Sequence, residues 1–538
     1  MFEFFICRVH HVAHRSARHS FIVPMRLLAD SFAGDLRDFL LKTDRLHQIE
    51  AFPQKDDASR RVFFEAKLST VVYVAELFAP PGTVRVATHP WDRVQSDSPS
   101  YVADTSQLLS LSSSDAVIPI GLDDESWRLL VKLEQDAGTT RLSDVGRWST
   151  GEIMEGPTLR PYLAKVGCGV PLARGGNVAR FEFKEEAKQG ENVFVDLDRL
   201  RSERPRSAKL ADQQKPRIVF QECAAVDNYR RIVATAVRPG ILCAKTLSYL
   251  CDTNVSLESV LALLNSAVIE WRFNLTSTTN HVTLPEVGRL PFVAAAGSNA
   301  DFRTLAEHAT ESCRLSDEKE ESQARFRAEL WRTMDLASEH GESWTGVSRL
   351  RDLDYFGWEG RFPAWQPDER SAEEAHWYPN GVSPPLEGDG PGEIPWDLIA
   401  RVYPSYPLPG IDAEAWEAAA WDDLCGLLRK NKTKIGNPRI RADLTGSGRI
   451  EHPTGALRQL REMFLEHHRQ IRANRARAAE LDLLIDRIVF RLFDLTLDEQ
   501  KLILSRVGPG RPLPPRRGRK RKKAKQRVDR NLRLFEDG

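Results

Sequence analysis

The chain has 538 residues, room for roughly two to four domains, with 41% apolar and 28% charged residues. That is ordinary composition for a folded protein with a sizeable core. Lys plus Arg and Asp plus Glu both number 76, so no overall field draws the chain to an anion, and any nucleic-acid contact has to come from local clusters. The seven cysteines are scattered with no Cys-x-x-Cys pair, which excludes a zinc ribbon or disulfide scaffold and fits a reducing, cytoplasmic setting. No apolar run reaches the ~18 residues of a membrane span. The N-terminus lacks the basic start and small-residue cleavage site of a secretory leader.

Residues 1–12 (MFEFFICRVHHV) have helical spacing. HSFIVP is a short apolar strand stopped by Pro24, and ADSFAGDLRDFLLKT is a helix with Phe32, Leu36, Phe39 and Leu40 on one face. LHQIEAF and STVVYVAELF read as two further strands, separated by a loop that re-enters at Phe63 and Phe64. A Ser/Asp-rich loop is expected near 96–115, then a short helix, ESWRLLVKLEQ. Residues 140–295 hold many short strands punctuated by Gly and Pro, interrupted by one helix, LESVLALLNSAVIEWRFN, with Leu261, Leu264, Val268 and Trp271 on a stripe. From about 300 the pattern is helical and charged. Residues 357–395, rich in Gly, Pro and Trp, read as a linker. Residues 396–505 are helical again, the last helix announced by the capping-box spacing of Thr496 and Glu499. The end is a basic, disordered tail containing RPLPPRRGRKRKKAKQR.

Chemistry-bearing patterns are few. A cofactor site in an α/β sheet needs a glycine-rich turn between strand and helix. Of the Gly-x-Gly runs, only Gly167-Cys168-Gly169 follows a strand-like segment, and Pro161 and Pro171 bracket it. It reads as an ordinary turn. The histidines at 10, 11, 14 and 19 lack cysteine or carboxylate partners and read as a helix surface or fraying end. Asp57…Glu65-Ala66-Lys67 has the spacing of a metal-dependent nuclease core, as does Glu182-Phe183-Lys184 without an upstream Asp. Such tripeptides arise by chance in a chain this charged.

Two longer regions, 1–85 and 140–295, carry a resemblance. FFICRVHHVAHRSARHSFIVPMRLLADSFAGDLRDFLL and RVFFEAKLSTVVYVAEL, followed by LSDVGRWSTGEI, PLARGGNVARFEF, KPRIVFQECAAVDNYRRIVATAV and LALLNSAVIEWRFNLTSTTNHVTLPEVGRLPF, resemble in that order the gamma-class adenine-N6 DNA methyltransferases of Type II and fused Type IIG restriction–modification systems. The later segments resemble their TaqI-like specificity domain, most closely at Leu263-Leu264-Asn265-Ser266 and Leu290-Pro291-Phe292, and AAELDLLIDRIVFRLFDLTLDEQKLIL resembles a closing helical pair of the fused enzymes. The resemblance covers roughly half the chain.

The resemblance implies a mixed α/β chain: a partial methyltransferase α/β sheet in 1–135, a β-rich target-recognition domain in 136–295, a helical segment and linker in 296–395, a helical C-terminal region in 396–508 and the basic tail in 509–538. It implies that Phe63, with Phe64 and Phe52 as alternates, stacks on an adenine flipped out of the duplex. It implies DNA contacts by Arg174, Arg230, Arg231, Lys245, Arg272, Asn274, Asn280 and His281. The departure is that the donor-binding glycine motif and the Asn-Pro-Pro-Tyr/Phe motif are missing; the one Asn-Pro is Asn437-Pro438-Arg439-Ile440. The expectation is therefore a downstream half with double-stranded DNA as partner. This chain alone would bind no cofactor; S-adenosylmethionine would be held by an N-terminal methyltransferase half or another restriction–modification subunit. A stand-alone DNA-binding specificity subunit, a gene remnant and a metal-dependent nuclease are the alternatives.

Overall fold

A computed structural model describes residues 2–507, apart from 56, 112–115, 136–138, 165–167, 185–191, 204–207, 225–229, 278–279, 294–298, 335–387, 404, 408–412, 431 and 446–454. The expected 357–395 linker lies largely, and the 509–538 tail wholly, outside the described residues. The fold is mixed α/β, with several small sheets and a helical C-terminal region.

The chain opens with helix α1 (Phe2–Val12), strand β1 (Arg18–Pro24), helix α2 (Gly34–Thr43) and strands β2 (Arg45–Phe52), β3 (Thr70–Glu76), β4 (Thr83–Thr88) and β5 (Ser100–Asp104). The five strands form one sheet in the order β1-β3-β2-β4-β5. β3 runs antiparallel to both β1 and β2, so those two point the same way, and β4 is parallel to β2. Along β3, Val71, Tyr73 and Ala75 are buried while Val72 and Val74 are half-buried, the period-2 alternation of a strand packed mainly on one face. α2 brings Leu36, Leu40 and Leu41 into the same core. Phe32 does not join that face: it lies in a 3₁₀ turn ahead of α2 and is 88% exposed. β1 is an edge strand. Its Ile22 is 56% exposed and only Val23 is fully buried.

The expected loop at 96–115 contains β5 and helix α3 (Thr105–Leu111). Polar composition hid a short buried alternation, in which Tyr101 stacks 4.6 Å from Trp127 of helix α4 (Asp124–Gln135).

The central region holds strands β6 (Thr139–Arg141), β7 (Arg147–Thr150), β8 (Leu163–Ala164), β9 (Val170–Ala173), β10 (Val178–Ala179), β11 (Glu182–Phe183) and β12 (Val193–Val195), then helix α5 (Leu197–Glu203). Strands β13 (Arg217–Gln221), β14 (Ala234–Val237), β15 (Leu242–Cys243) and β16 (Leu247–Cys251) follow. They pair as β15-β9-β12-β8, β14-β13-β16-β7 and β10-β11. The single helix expected after them is two, α6 (Leu257–Leu264) and α7 (Ala267–Thr276). The apolar period runs through the break, but Asn265 leaves the helix to serve β14, and Ser266 caps α7 by accepting from Ile269 N–H. Helix α8 (Leu284–Gly288) and strand β17 (Pro291–Val293), paired with β6, close the region.

The helical part comprises α9 (Asn299–Met334), α10 (Trp396–Val402), α11 (Ala413–Lys430), α12 (Pro438–Asp443), α13 (Gly455–Leu492) and α14 (Leu497–Arg506). α9 and α13 pack antiparallel, as the pairs Asp301–Arg491, Glu311–Arg477 and Phe326–Phe464 require. The capping box of Thr496 and Glu499 forms as the sequence predicts. One apolar cluster runs from Ile6 through Leu130, Phe220 and Trp271 to Val507, so the opening sheet, the central strands and the closing helices share a core. A second, helical core surrounds Trp421, Leu424 and Phe464.

Candidate nucleic-acid interface

Because β1, β2 and β4 point the same way, their carboxyl ends and the following turns lie at one end of the sheet. In open α/β sheets this is the end where ligands bind. Backbone bonds hold the turns together: Met25 N–H donates to Ser69 O at 2.9 Å, and His89 N–H to Ala51 O at 2.8 Å. Below the surface, His89 is wholly buried between the Glu50 carboxylate and Ser98 Oγ, the latter 2.7 Å from Nδ1. Arg60 lies 4.3 Å over the ring of Trp91 and pairs with Asp57. Anchored by these networks, the loops present Phe63 (46% exposed), Phe64 (60% exposed), Leu68 and Val94 to solvent, with Lys67 and Arg93 exposed among them. Phe52 is buried on β2. An apolar ring held out on a pinned loop at the ligand end of a sheet has little packing role and is free to take a flat partner.

The nuclease spacing does not assemble. Asp57 Oδ1 is taken up by Ser59, accepting from N–H at 2.9 Å and Oγ at 2.7 Å, while Glu65 is exposed. Glu182 binds Lys319 at 2.8 Å. Among the described residues, three metal-ligating side chains converge at Asp212, Cys251 and Asp252. There Arg147 holds Asp212 at 3.0 Å and Lys215 holds Asp252 at 2.7 Å, and burial pushes the Cys251 thiol up to about 11. The group is an ion-pair network rather than a cation cradle.

The eight polar candidates of the central region divide. Arg231 has no exposed surface: its guanidinium sits 5.0 Å over Phe273 and donates to His281 O at 3.3 Å. Arg230 is buried within reach of the charge of Asp486. Arg272 is buried against Glu134 and donates to Thr276 at 3.2 Å. Asn274 spends its amide on Glu270, donating to O and Oε1 at 2.7 Å. Arg230, Arg231 and Arg272 are interior residues, and Asn274 is half-buried with its amide already committed. Glu134, the partner of Arg272, is remote in sequence, and Glu270, four residues before Asn274, is itself buried, so local polarity reveals neither.

The other four lie on one rim. Gly175, next to Arg174, donates to Thr246 Oγ1 at 3.2 Å, which places it beside Lys245. Thr246 O accepts from Glu222 N–H at 3.0 Å, Glu222 O from Val282 N–H at 2.9 Å and Asn280 O from Ala224 N–H at 2.9 Å. One backbone-to-hydroxyl bond and a series of backbone bonds therefore connect the turn of Arg174 through that of Lys245 to Asn280 and His281. Lys245, Asn280 and His281 are exposed; Arg174 is half-buried against Glu155 at 2.6 Å. Sequence reading supplied these residues singly but not their adjacency.

The histidine group gains a partner the local sequence did not show. His10 and His19 reach Asp44 Oδ2 at 2.8 and 3.4 Å, and Phe78 N–H donates to Oδ1 at 3.2 Å. Burial works against the charge on Asp44, but the bonds from His19, Phe78 N–H and His10 outweigh it and hold the carboxyl below its ordinary range. The clamp fixes α1 to the amino end of the sheet, away from the exposed aromatics.

No family model and no curated protein matches the chain. Solved structures similar to it include the type IIG restriction endonuclease BpuSI (12% identity, 57% of this chain and 44% of that chain, TM-score 0.25). The Type IIL restriction-modification enzyme MmeI in complex with DNA is another (9%, 58% and 43%, TM-score 0.35). A third is DrdV in complex with DNA (11%, 92% and 52%, TM-score 0.32). The chain spans about half the length of these solved chains. Scores this low assign neither a family nor a function.

Proposed function

We propose that the chain is the DNA-recognition part of a site-specific adenine-N6 DNA methyltransferase of a restriction–modification system. The observation that carries this reading is the pair of exposed surfaces on one core: an aromatic loop tip at the ligand end of a sheet, and a polar rim on the strand-rich region. The rim of Arg174, Lys245, Asn280 and His281 reads base edges and holds phosphates. Phe63 receives the flipped adenine by stacking, with Phe64 beside it. The sequence resemblance points the same way.

S-adenosylmethionine is the donor such a reaction takes, and the residues here do not fit it. Close approach of a nucleoside cofactor needs glycine in the turns at the carboxyl ends of the strands. Those turns open at Pro24, Pro53 and Pro90, and 53–69 and 89–99 contain no glycine. We therefore assign the donor to a catalytic half, in the same polypeptide or in another chain. The open edge of β1 offers a place for that half to extend the sheet.

The test is methyl transfer to adenine in duplex DNA, measured for this chain, for a complementing catalytic half, and for both. Transfer by the pair alone is the expected result. Micromolar binding of S-adenosylmethionine to this chain alone would overturn the division of labour. Because the rim belongs to the strand-rich central region and Phe63 to a loop of the opening sheet, a specificity subunit without methyl transfer is the second reading. Selective duplex binding that is insensitive to Phe63→Ala, with no base flipping, would favour it.

A further inference from the structure

We infer that Cys223 and His281 form an accessible thiol–imidazole pair that is a modification site for hydroperoxides. The two residues face each other across an isolated antiparallel bridge, and the flanking bonds Ala224 N–H to Asn280 O and Val282 N–H to Glu222 O fix their backbones. This sets Cys223 Sγ 3.6 Å from His281 Nδ1, within hydrogen-bonding reach of sulfur, with both side chains exposed. A thiol at the surface beside a base is the arrangement in which the base can take the thiol proton and an oxidant can reach the sulfur.

The other cysteines are different. Cys243 and Cys425 are buried and their thiols are pushed up to about 12; burial does the same to Cys251 and Cys313, at about 11. In those four, burial disfavours the thiolate. Cys7 and Cys168 are exposed but have no imidazole partner among the described residues.

In the reaction, sulfur attacks one peroxide oxygen. The S–O bond forms as the O–O bond breaks; sulfur loses two electrons and the peroxide gains them. The thiol proton passes to His281 Nδ1 and on to the departing hydroxide or alkoxide, leaving a sulfenic acid and one water or alcohol. The pair sits between Lys245 and Asn280 on the rim. Resting on the reading of that rim as a DNA surface, an adduct at Cys223 would weaken duplex binding.

The test uses the full chain at neutral pH with limiting iodoacetamide, followed by peptide mass spectrometry, and in parallel hydrogen peroxide with dimedone trapping. Cys223 should alkylate about tenfold faster than Cys7 or Cys168, should be the site of the dimedone adduct, and should fall to their rate in His281→Gln. A Cys223 rate at or below the other two, or a rate unchanged in His281→Gln, overturns the inference. Should that variant misfold, the three-way comparison within the native chain decides it alone. Alkylated Cys223 with undiminished duplex affinity would support the thiol site and refute the rim as a DNA surface.

Discussion

Asn265 gives the sharpest test of how the central region is held together. β14 is the edge of its sheet, and in the register with β13 the peptide groups of Ala234 point outward, away from Phe220. Asn265 pairs with that peptide as a neighbouring strand would: Ala234 N–H donates to Oδ1 at 3.3 Å and Nδ2 donates to Ala234 O at 3.0 Å. Phe181 N–H also donates to Ala234 O at 3.0 Å, so in Asn265→Ala the carbonyl keeps a partner and the N–H loses its own. A buried, unsatisfied donor costs about 1–3 kcal/mol, and with the second bond and the emptied volume the total comes to ~2–4 kcal/mol. Asn265→Asp keeps an acceptor for the N–H but turns a carboxylate oxygen toward Ala234 O, so it should cost at least as much. Urea unfolding followed by tryptophan fluorescence and circular dichroism measures both. A loss below ~0.5 kcal/mol in Asn265→Ala, the range of ordinary surface substitutions, would refute the edge-strand role.

Phe63→Ala should leave stability unchanged, because the ring is half in solvent, and should weaken capture of an extrahelical base by about 1–3 kcal/mol. Fluorescence of 2-aminopurine at the target position, with the complementing half present, reports it. Arg174→Ala and Lys245→Ala should each lower the slope of log affinity against log salt by about 1 for a lost phosphate contact; Arg231→Ala should instead lower stability, because it breaks an interior contact. The depressed Asp44 carboxyl stabilises the fold at pH above its unfolded value near 3.8, and that contribution is lost as the pH falls through the lower folded value. Asp44→Asn should therefore destabilise at neutral pH and flatten the acid limb of a stability–pH curve; an unaltered acid limb would contradict the clamp.

The opening sheet was legible because β1 and β3 carry apolar runs and β1 and β2 are each closed by a proline, and the capping box at Thr496 because its two residues are only three apart. The misses share a different cause. The helix break at Asn265 is invisible to periodicity, since the apolar stripe continues across it and the partner of Asn265 lies on a separate strand. Arg231, Arg272 and Asn274 read as surface polar residues until Glu270, Glu134 and Phe273 are seen around them. His10 and His19 converge on a carboxylate that follows in sequence only after a full strand and helix. The candidate site behaves likewise: exposed Phe63 follows from a loop between strands, whereas the rim exists only through backbone bonds between turns far apart in the chain.

On the proposed reading, the rim is where this chain distinguishes one DNA sequence from another. Selection from a pool of random duplexes with the purified chain, repeated with the double variant Lys245→Ala/Asn280→Ala, tests it most directly. The native chain should enrich one discrete motif, and the variant should lose it or relax it at defined positions. Binding that enriches no motif, or a motif untouched by the double substitution, would contradict it.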